Sequence, residues 1–128
     1  MYRIVLIPRH SAGDAMENKS QFLKGCARTL VLQLLAERPM YGYELAAELQ
    51  RRSDGVFDLG QGTLYPLLYS LQEKGFIRVS REEADAQAGR LRRYYSPTPR
   101  GRDELQSNLL TWRQIARGMK LVLESAHA

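Results

Sequence analysis

Apolar residues recur at helical spacing in four separate stretches of this chain, and between the third and fourth the spacing shortens to that of strands. Over residues 19–37, Leu23, Ala27, Leu30 and Leu34, flanked by Val31 and Leu35, form one stripe, the mark of a helix that buries one side. Arg38-Pro39 ends it, because proline restricts the residue before it and cannot continue the hydrogen-bond ladder. A second helix is predicted over residues 42–52, burying Leu45, Ala46 and Leu49. Ser53-Asp54-Gly55 closes it, the glycine serving as a left-handed cap. A third helix begins near residues 61–63, a start fixed independently by Pro66, which is tolerated only near the first turn. At about 100° per residue its Leu64, Leu67, Leu68 and Leu71 face the core. Gly62, Thr63, Pro66, Tyr69 and Ser70 point outward, with Tyr65 on the flank.

Lys74-Gly75-Phe76-Ile77 stops the third helix and leads into a strand predicted over residues 76–80, with a second over residues 91–95. Residues 82–89 between them are polar and include glycine, so they are expected to form a mobile tip. Thr98 as N-cap and Pro99 at the first helical position then open a fourth helix of about twenty-five residues. Along it Leu105, Leu109, Trp112, Ala116, Met119, Leu123 and Ala126 alternate steps of four and three, a heptad seam that Ile115 and Val122 widen. So long a helix cannot bury such a face on its own small core. It calls for a second subunit, and a symmetric dimer held by Leu105, Leu109, Trp112, Ala116, Met119 and Leu123 is expected. The alternative is a helix folded back on its own domain.

The expected fold is therefore mainly α with a small β wing. Residues 1–17 read as a disordered tail, the alternative being an arm that packs on a partner or touches DNA. Residues 18–97 read as a winged helix-turn-helix, and residues 98–128 as a dimerisation helix. Helix, helix, strand, basic tip, strand is the order of a module that sets one helix in the DNA major groove.

Composition narrows the choice of partner. The chain has 128 residues, enough for one domain with a helical appendage, and 44% of them are hydrophobic, so a packed core is expected. A net charge of +5 favours a polyanion, whether DNA or a membrane surface. No apolar run approaches the ~20 residues of a membrane span. Residues 90–102 hold five arginines and no acid, the most concentrated basic segment of the chain. On a strand edge such charge can simply discourage aggregation; beside a helix pair it points to phosphate. The outward face of the third helix is small, hydroxylated and aromatic, suited to phosphates and base edges. The single cysteine, Cys26, excludes an internal disulfide, fits a reducing cytoplasm, and is expected to be buried among its apolar neighbours.

Enzymatic readings find little support. The only histidines, His10 and His127, lie in the terminal tails, so neither a histidine-based triad nor a metal site is expected. No glycine-rich phosphate loop of either common spacing occurs, and no cofactor is called for. A winged helix used for protein contacts, without DNA, is the competing reading.

Several segments in the same order resemble the PadR family of bacterial transcriptional regulators in its small, single-domain form. They are Leu30-Val31-Leu32 to Leu35, Pro39-Met40-Tyr41-Gly42-Tyr43-Glu44-Leu45, Gly62-Thr63-Leu64-Tyr65-Pro66 and Leu71-Gln72-Glu73-Lys74-Gly75-Phe76-Ile77. Arg92-Arg93-Tyr94-Tyr95, Thr98-Pro99-Arg100-Gly101-Arg102 and a mid-helix tryptophan, Trp112, continue the match. The resemblance implies a homodimeric repressor that reads a palindromic operator in double-stranded DNA and releases it on a signal. In some similar proteins paired tryptophans at the dimer interface accept planar aromatic compounds, which makes Trp112 and Ala116 candidate contacts for an aromatic effector. Tyr41, Gln61, Gly62, Thr63, Tyr65 and Tyr69, with Arg90, Arg92 and Arg93 of the wing, are the candidate DNA contacts. Two departures stand out. Pro97 replaces the family's usual leucine, which is expected to loosen the end of the second strand. Glu82, Glu83 and Asp85 make the tip acidic, leaving only its arginine-bearing side for phosphate.

Overall fold

The computed structural model describes residues 12–87 and 89–125, with side chains from Lys24 onward. Its elements are α1 (Ala12–Glu37), α2 (Gly42–Arg52), α3 (Gln61–Glu73), β1 (Ile77–Asp85), β2 (Arg90–Pro97) and α4 (Pro99–Ser125). This is the winged helix-turn-helix order with a long final helix that the hydrophobic pattern predicts. α1 starts at Ala12, ahead of the expected residue 19, because the intervening sequence holds no helix breaker stronger than Gly13. It therefore takes in residues 12–17, which were expected in the tail. Residues 1–11, the Leu23 side chain on the predicted stripe and Ala126 on the predicted seam lie outside the described residues.

The core lies where the first three helices meet the wing. Val31, Leu32 and Leu35 of α1, Leu45 of α2, and Leu64, Leu68 and Leu71 of α3 are all buried, joined by Met40, Ile77 and Tyr95. Each large side chain so buried contributes roughly 1.5–3 kcal/mol. At the start of α2, Glu44 accepts a hydrogen bond from the Tyr41 N–H at 3.4 Å and pairs with Arg38 at 2.9 Å, fixing the tight turn out of α1. At its end Gly55, with φ 82°, donates to the Gln50 carbonyl at 2.8 Å. Arg52 forks onto Glu37 at 2.7 and 2.9 Å, tying the last turns of α1 and α2 together. Pro66 sits in the second turn of α3, one turn deeper than expected. Lacking an N–H, it leaves the carbonyl of the exposed Gly62 without its helical donor.

The wing departs most from expectation. β1 continues through Asp85, so Glu82, Glu83 and Asp85 belong to a strand and not to a mobile tip. They stand opposite Arg93, Arg92 and Arg90 in register, and this cross-strand charge complementarity carries the pairing outward. Ser80 is the extra residue of a bulge between Val79↔Tyr95 and Arg81↔Tyr94, its hydroxyl donating to the Tyr94 carbonyl at 3.1 Å. Pro97 does not loosen β2. It lies buried opposite Ile77, the last paired position, where no further ladder donor is needed. Met40 adds a third short limb through mutual hydrogen bonds with Tyr95 at 2.9 and 3.4 Å.

Thr98 knots the wing to α4. Its N–H donates to the Phe76 carbonyl at 3.0 Å and its hydroxyl donates to the Gly75 carbonyl at 2.6 Å. The same hydroxyl accepts from the Gly101 N–H at 3.0 Å, the N-cap expected from sequence. α4 passes so close to the Phe76 backbone that a β-carbon on Gly101 would run into its carbonyl. Leu105, expected on a seam between subunits, is instead buried in its own domain, and Leu109 packs half-buried against the same core. The heptad continues in phase from buried to exposed positions, and that change is invisible in its spacing. Beyond Leu109, Trp112, Met119 and Leu123 are 58–64% exposed. Cys26 is also exposed and not buried as expected: it lies one residue before the buried Ala27, on the flank of α1 that looks toward α4. No helix among the described residues is long and apolar enough to cross a membrane.

Candidate nucleic-acid interface

The fold brings six of the candidate residues, from three parts of the chain, into one groove. The N-terminus of α2, the first turns of α3 and the wing enclose about 640 Å³, lined by Tyr41, Gly42, Tyr43, Gln61, Tyr65, Arg90, Arg92 and Arg93 together with Asp85, Leu91 and Tyr95. Gly62, Thr63 and Tyr69 do not line it. They continue the site along the outer face of α3, where Gly62 is open to solvent and Tyr69 is 64% exposed. From Gln61 to Gln72 that helix carries no charged side chain.

Tyr41 is held on several sides by aromatic and cationic neighbours. Its ring meets Tyr94 edge-on at 5.3 Å and stacks with Tyr43 at 6.4 Å. The Arg92 guanidinium lies 4.9 Å from the Tyr41 centroid, and Arg81 lies 3.9 Å from that of Tyr94. Each such cation–aromatic contact at an exposed site is worth about 0.5–1 kcal/mol, so the ladder orients Arg92 without removing its remaining donors from solvent. Burial pushes the Tyr95 phenol above its ordinary range, against the pull of Arg93, and the hydroxyl behind the groove stays neutral.

The wing arginines differ in their partners. Arg92 makes contacts to one Asp85 oxygen from Nη2 at 3.1 Å and from Nε at 3.2 Å. Arg93 reaches Glu82 at 3.5 Å, whereas Arg90 makes no ion pair among the described residues. A guanidinium has five donors, so a paired arginine still has N–H groups to offer a phosphate. Five residues that line the groove, Gly42, Tyr43, Asp85, Leu91 and Tyr95, were not among the candidate contacts read from sequence. Tyr43, 69% exposed, follows Tyr41 across a single glycine, and that spacing was the available signal. Leu91 is an exposed apolar residue between arginines and gave no sign of its place.

A second groove of about 700 Å³ runs between α1 and α4, with Cys26, Arg28, Leu30, Phe57, Leu67, Leu109, Trp112 and Ile115 among its walls. Trp112 lines it, but Ala116, its expected companion, does not.

The family model of the PadR-like transcriptional regulators matches residues 31–107. A transcriptional regulator of Mycobacterium tuberculosis is 31% identical over 97 residues, spanning 76% of this chain and 85% of that protein. The crystal structure of a PadR-like transcriptional regulator from Bacillus cereus is similar with a TM-score of 0.69 at 28% identity, covering 80% of this chain and 96% of that one. A PadR-family regulator from Eggerthella lenta is similar with a TM-score of 0.71 at 26% identity, covering 86% and 92%. With the winged fold, the basic groove and the matched segment in agreement, the chain belongs to the PadR-like family of transcriptional regulators.

Proposed function

We propose that this regulator is a cytoplasmic homodimeric repressor that reads a two-fold operator beside its own gene and leaves it when a small planar aromatic compound binds. The observation that carries the DNA reading is the uncharged, hydroxyl- and tyrosine-bearing face of α3 lying beside an arginine-bearing wing. α3 enters the major groove with Gln61, Thr63, Tyr65 and Tyr69 nearest the bases, and Gly62 lets the backbone approach. Arg90, Arg92, Arg93 and Tyr41 sit on the flanking phosphates or reach the minor groove. The exposed apolar side of α4 at Trp112, Ala116, Met119 and Leu123 supports a second copy as partner. The groove beside Trp112 supports an aromatic effector that changes how the last helices meet.

Footprinting on the DNA immediately upstream of the protein's own gene tests this reading. Protection of a two-fold site is expected, with affinity falling steeply as salt rises. Replacing one phosphate-contacting arginine should weaken binding to all sequences alike and reduce the salt slope by about one unit. Changes at Thr63 or Tyr69 should instead alter preference among sequences. A triple alanine variant of Arg90, Arg92 and Arg93 that binds like the parent at every salt concentration overturns the wing assignment.

A further inference from the structure

The wing carries its own counter-charges. Within residues 77–97 five arginines face three carboxylates, and the register sets Glu82 opposite Arg93 and Asp85 opposite Arg90. Asp85 holds Arg92 diagonally through two donors at 3.1 and 3.2 Å, and Glu82 holds Arg93 at 3.5 Å. Arg92 is further fixed over the Tyr41 ring at 4.9 Å, on the edge of the groove that lies beside α3. Two of the three arginines that line the groove, Arg92 and Arg93, therefore already have carboxylate partners.

We infer that Asp85 and Glu82 are specificity-determining residues: they occupy Arg92 and Arg93 in the free protein, so the wing transfers its charge to DNA only when a phosphate is seated closely enough to displace them. This rests on the DNA reading above and deepens it. Each arginine keeps spare N–H groups, but its charge is already offset by the carboxylate, so a phosphate gains fully only when it comes close enough to take the carboxylate's place. A phosphate held several ångströms away, as in a loosely seated complex on unrelated sequence, gains little because solvent and salt screen it. In the operator complex, base contacts by α3 press the wing to its phosphate and the exchange takes place. The carboxylates thus weaken binding to unrelated DNA more than binding to the operator, and fewer counterions are released from unrelated DNA than the arginine count implies.

The test is salt-dependent binding of the full chain to two duplexes. One is the sequence that the parent selects from a random library, and the other is a mixed-sequence duplex of equal length. Glu82→Gln and Asp85→Asn are examined singly and together. The amide at 85 keeps an oxygen to accept from the Gln87 N–H, the bond that shapes the turn at 3.2 Å. Glu82→Gln leaves the turn untouched. A control of equal charge change is Asp54→Asn with Asp103→Asn, both exposed and outside the wing. On the mixed-sequence duplex the salt slope of the wing double variant should steepen by about one unit for each arginine released. On the selected duplex the slope should stay near that of the parent, so the affinity ratio between the two duplexes falls. An unchanged slope on mixed sequence overturns the inference, as does equal tightening on both duplexes or an equal effect of the control pair. A parent that binds neither duplex overturns the repressor reading and this inference with it. That outcome is distinct, because the other failures all require a parent that binds.

Discussion

The ring of Tyr65 lies over Gly42, so close that a β-carbon on residue 42 would stand 3.1 Å from both its Cε1 and its Oη. The glycine of the first motif makes room for the tyrosine of the second, which is a physical reason for Tyr41-Gly42-Tyr43 and Gly62-Thr63-Leu64-Tyr65-Pro66 to occur together. The obstructing atoms are the end of a side chain that can swing away. Gly42→Ala should therefore cost little stability, about 1 kcal/mol. It should lower operator affinity about tenfold, the ~1.4 kcal/mol of one displaced contact. In a Tyr65→Ala background the same change should have no further effect on affinity, and a double-mutant cycle measures that coupling. Additive losses would mean that the two residues act independently.

Gly101 meets backbone where Gly42 meets a side chain. Because the Phe76 carbonyl cannot swing aside, Gly101→Ala should destabilise the fold by about 3 kcal/mol, the upper end of ordinary overpacking. Gly118, on the same helix with open space around its α-carbon, provides the contrast. Gly118→Ala should stabilise by up to about 1 kcal/mol through helix propensity. Urea unfolding of the two variants should move the midpoints in opposite directions. A shared direction would show that packing at residue 101 is not what distinguishes them.

Met119 and Leu123 are 58% and 64% exposed in the single chain. Replacing both by glutamate should convert the expected dimer to monomer, since each large apolar side chain fully removed from water contributes roughly 1.5–3 kcal/mol. Light scattering coupled to size exclusion reads the mass directly. A well-folded monomer of the parent at micromolar concentration would rule out this seam.

The ion cluster at the ends of α1 and α2 gives a pH dependence with a defined sign. Hydrogen bonds from Arg51, then Arg52, hold Glu48 at about 2, well under its ordinary 4.5. Arg52, then Gln33, lowers Glu37. Both carboxylates have depressed values in the folded state, so their contribution is complete above about pH 4.5 and is lost as pH falls toward 2. Stability by urea titration should stay level from neutral pH down to about 5 and then decline. Arg52→Gln should make that acid limb shallower, whereas a parallel limb would show that the cluster adds nothing.

Trp112 is the sole tryptophan, so its fluorescence reports on the α1–α4 groove without ambiguity. Flat aromatic dyes should quench it, and those that do should weaken operator binding. Quenching with operator affinity unchanged would separate the groove from regulation.

Elements governed by local rules were legible in the sequence. The bounds of α2, the left-handed Gly55 and the Thr98 cap each depend on a few adjacent residues. So did the outward face of α3, since helical phase follows directly from spacing. What escaped depends on partners far along the chain. Glu82, Glu83 and Asp85 looked like a loop because the arginines that pair with them come about ten residues later, across a turn. Leu105 looked like part of a subunit seam because a heptad continues unchanged from a buried stretch of the helix to an exposed one. Cys26 failed for a related reason: apolar neighbours along α1 do not say whether another element covers that flank. The groove beside α3 was anticipated only in part: Tyr41, Gln61, Tyr65, Arg90, Arg92 and Arg93 line it, but Gly62, Thr63 and Tyr69 do not, and its enclosure needs the Tyr41–Tyr94 contact to bring the wing against α2.

The bulge at Ser80 bears on how relatives are to be aligned. Because the extra residue lies between Val79↔Tyr95 and Arg81↔Tyr94, a chain without it could form the same pairs on both sides in an ordinary ladder. A gain or loss of one codon there leaves the facing of every wing arginine intact. The same change at residue 83 would move Arg81 and Glu82 out of step with Tyr94 and Arg93. Length variation among such wings is thus harmless at one position and disruptive a few residues on, and an alignment that slides the gap to equalise tip lengths would match residues lying on opposite faces of the hairpin.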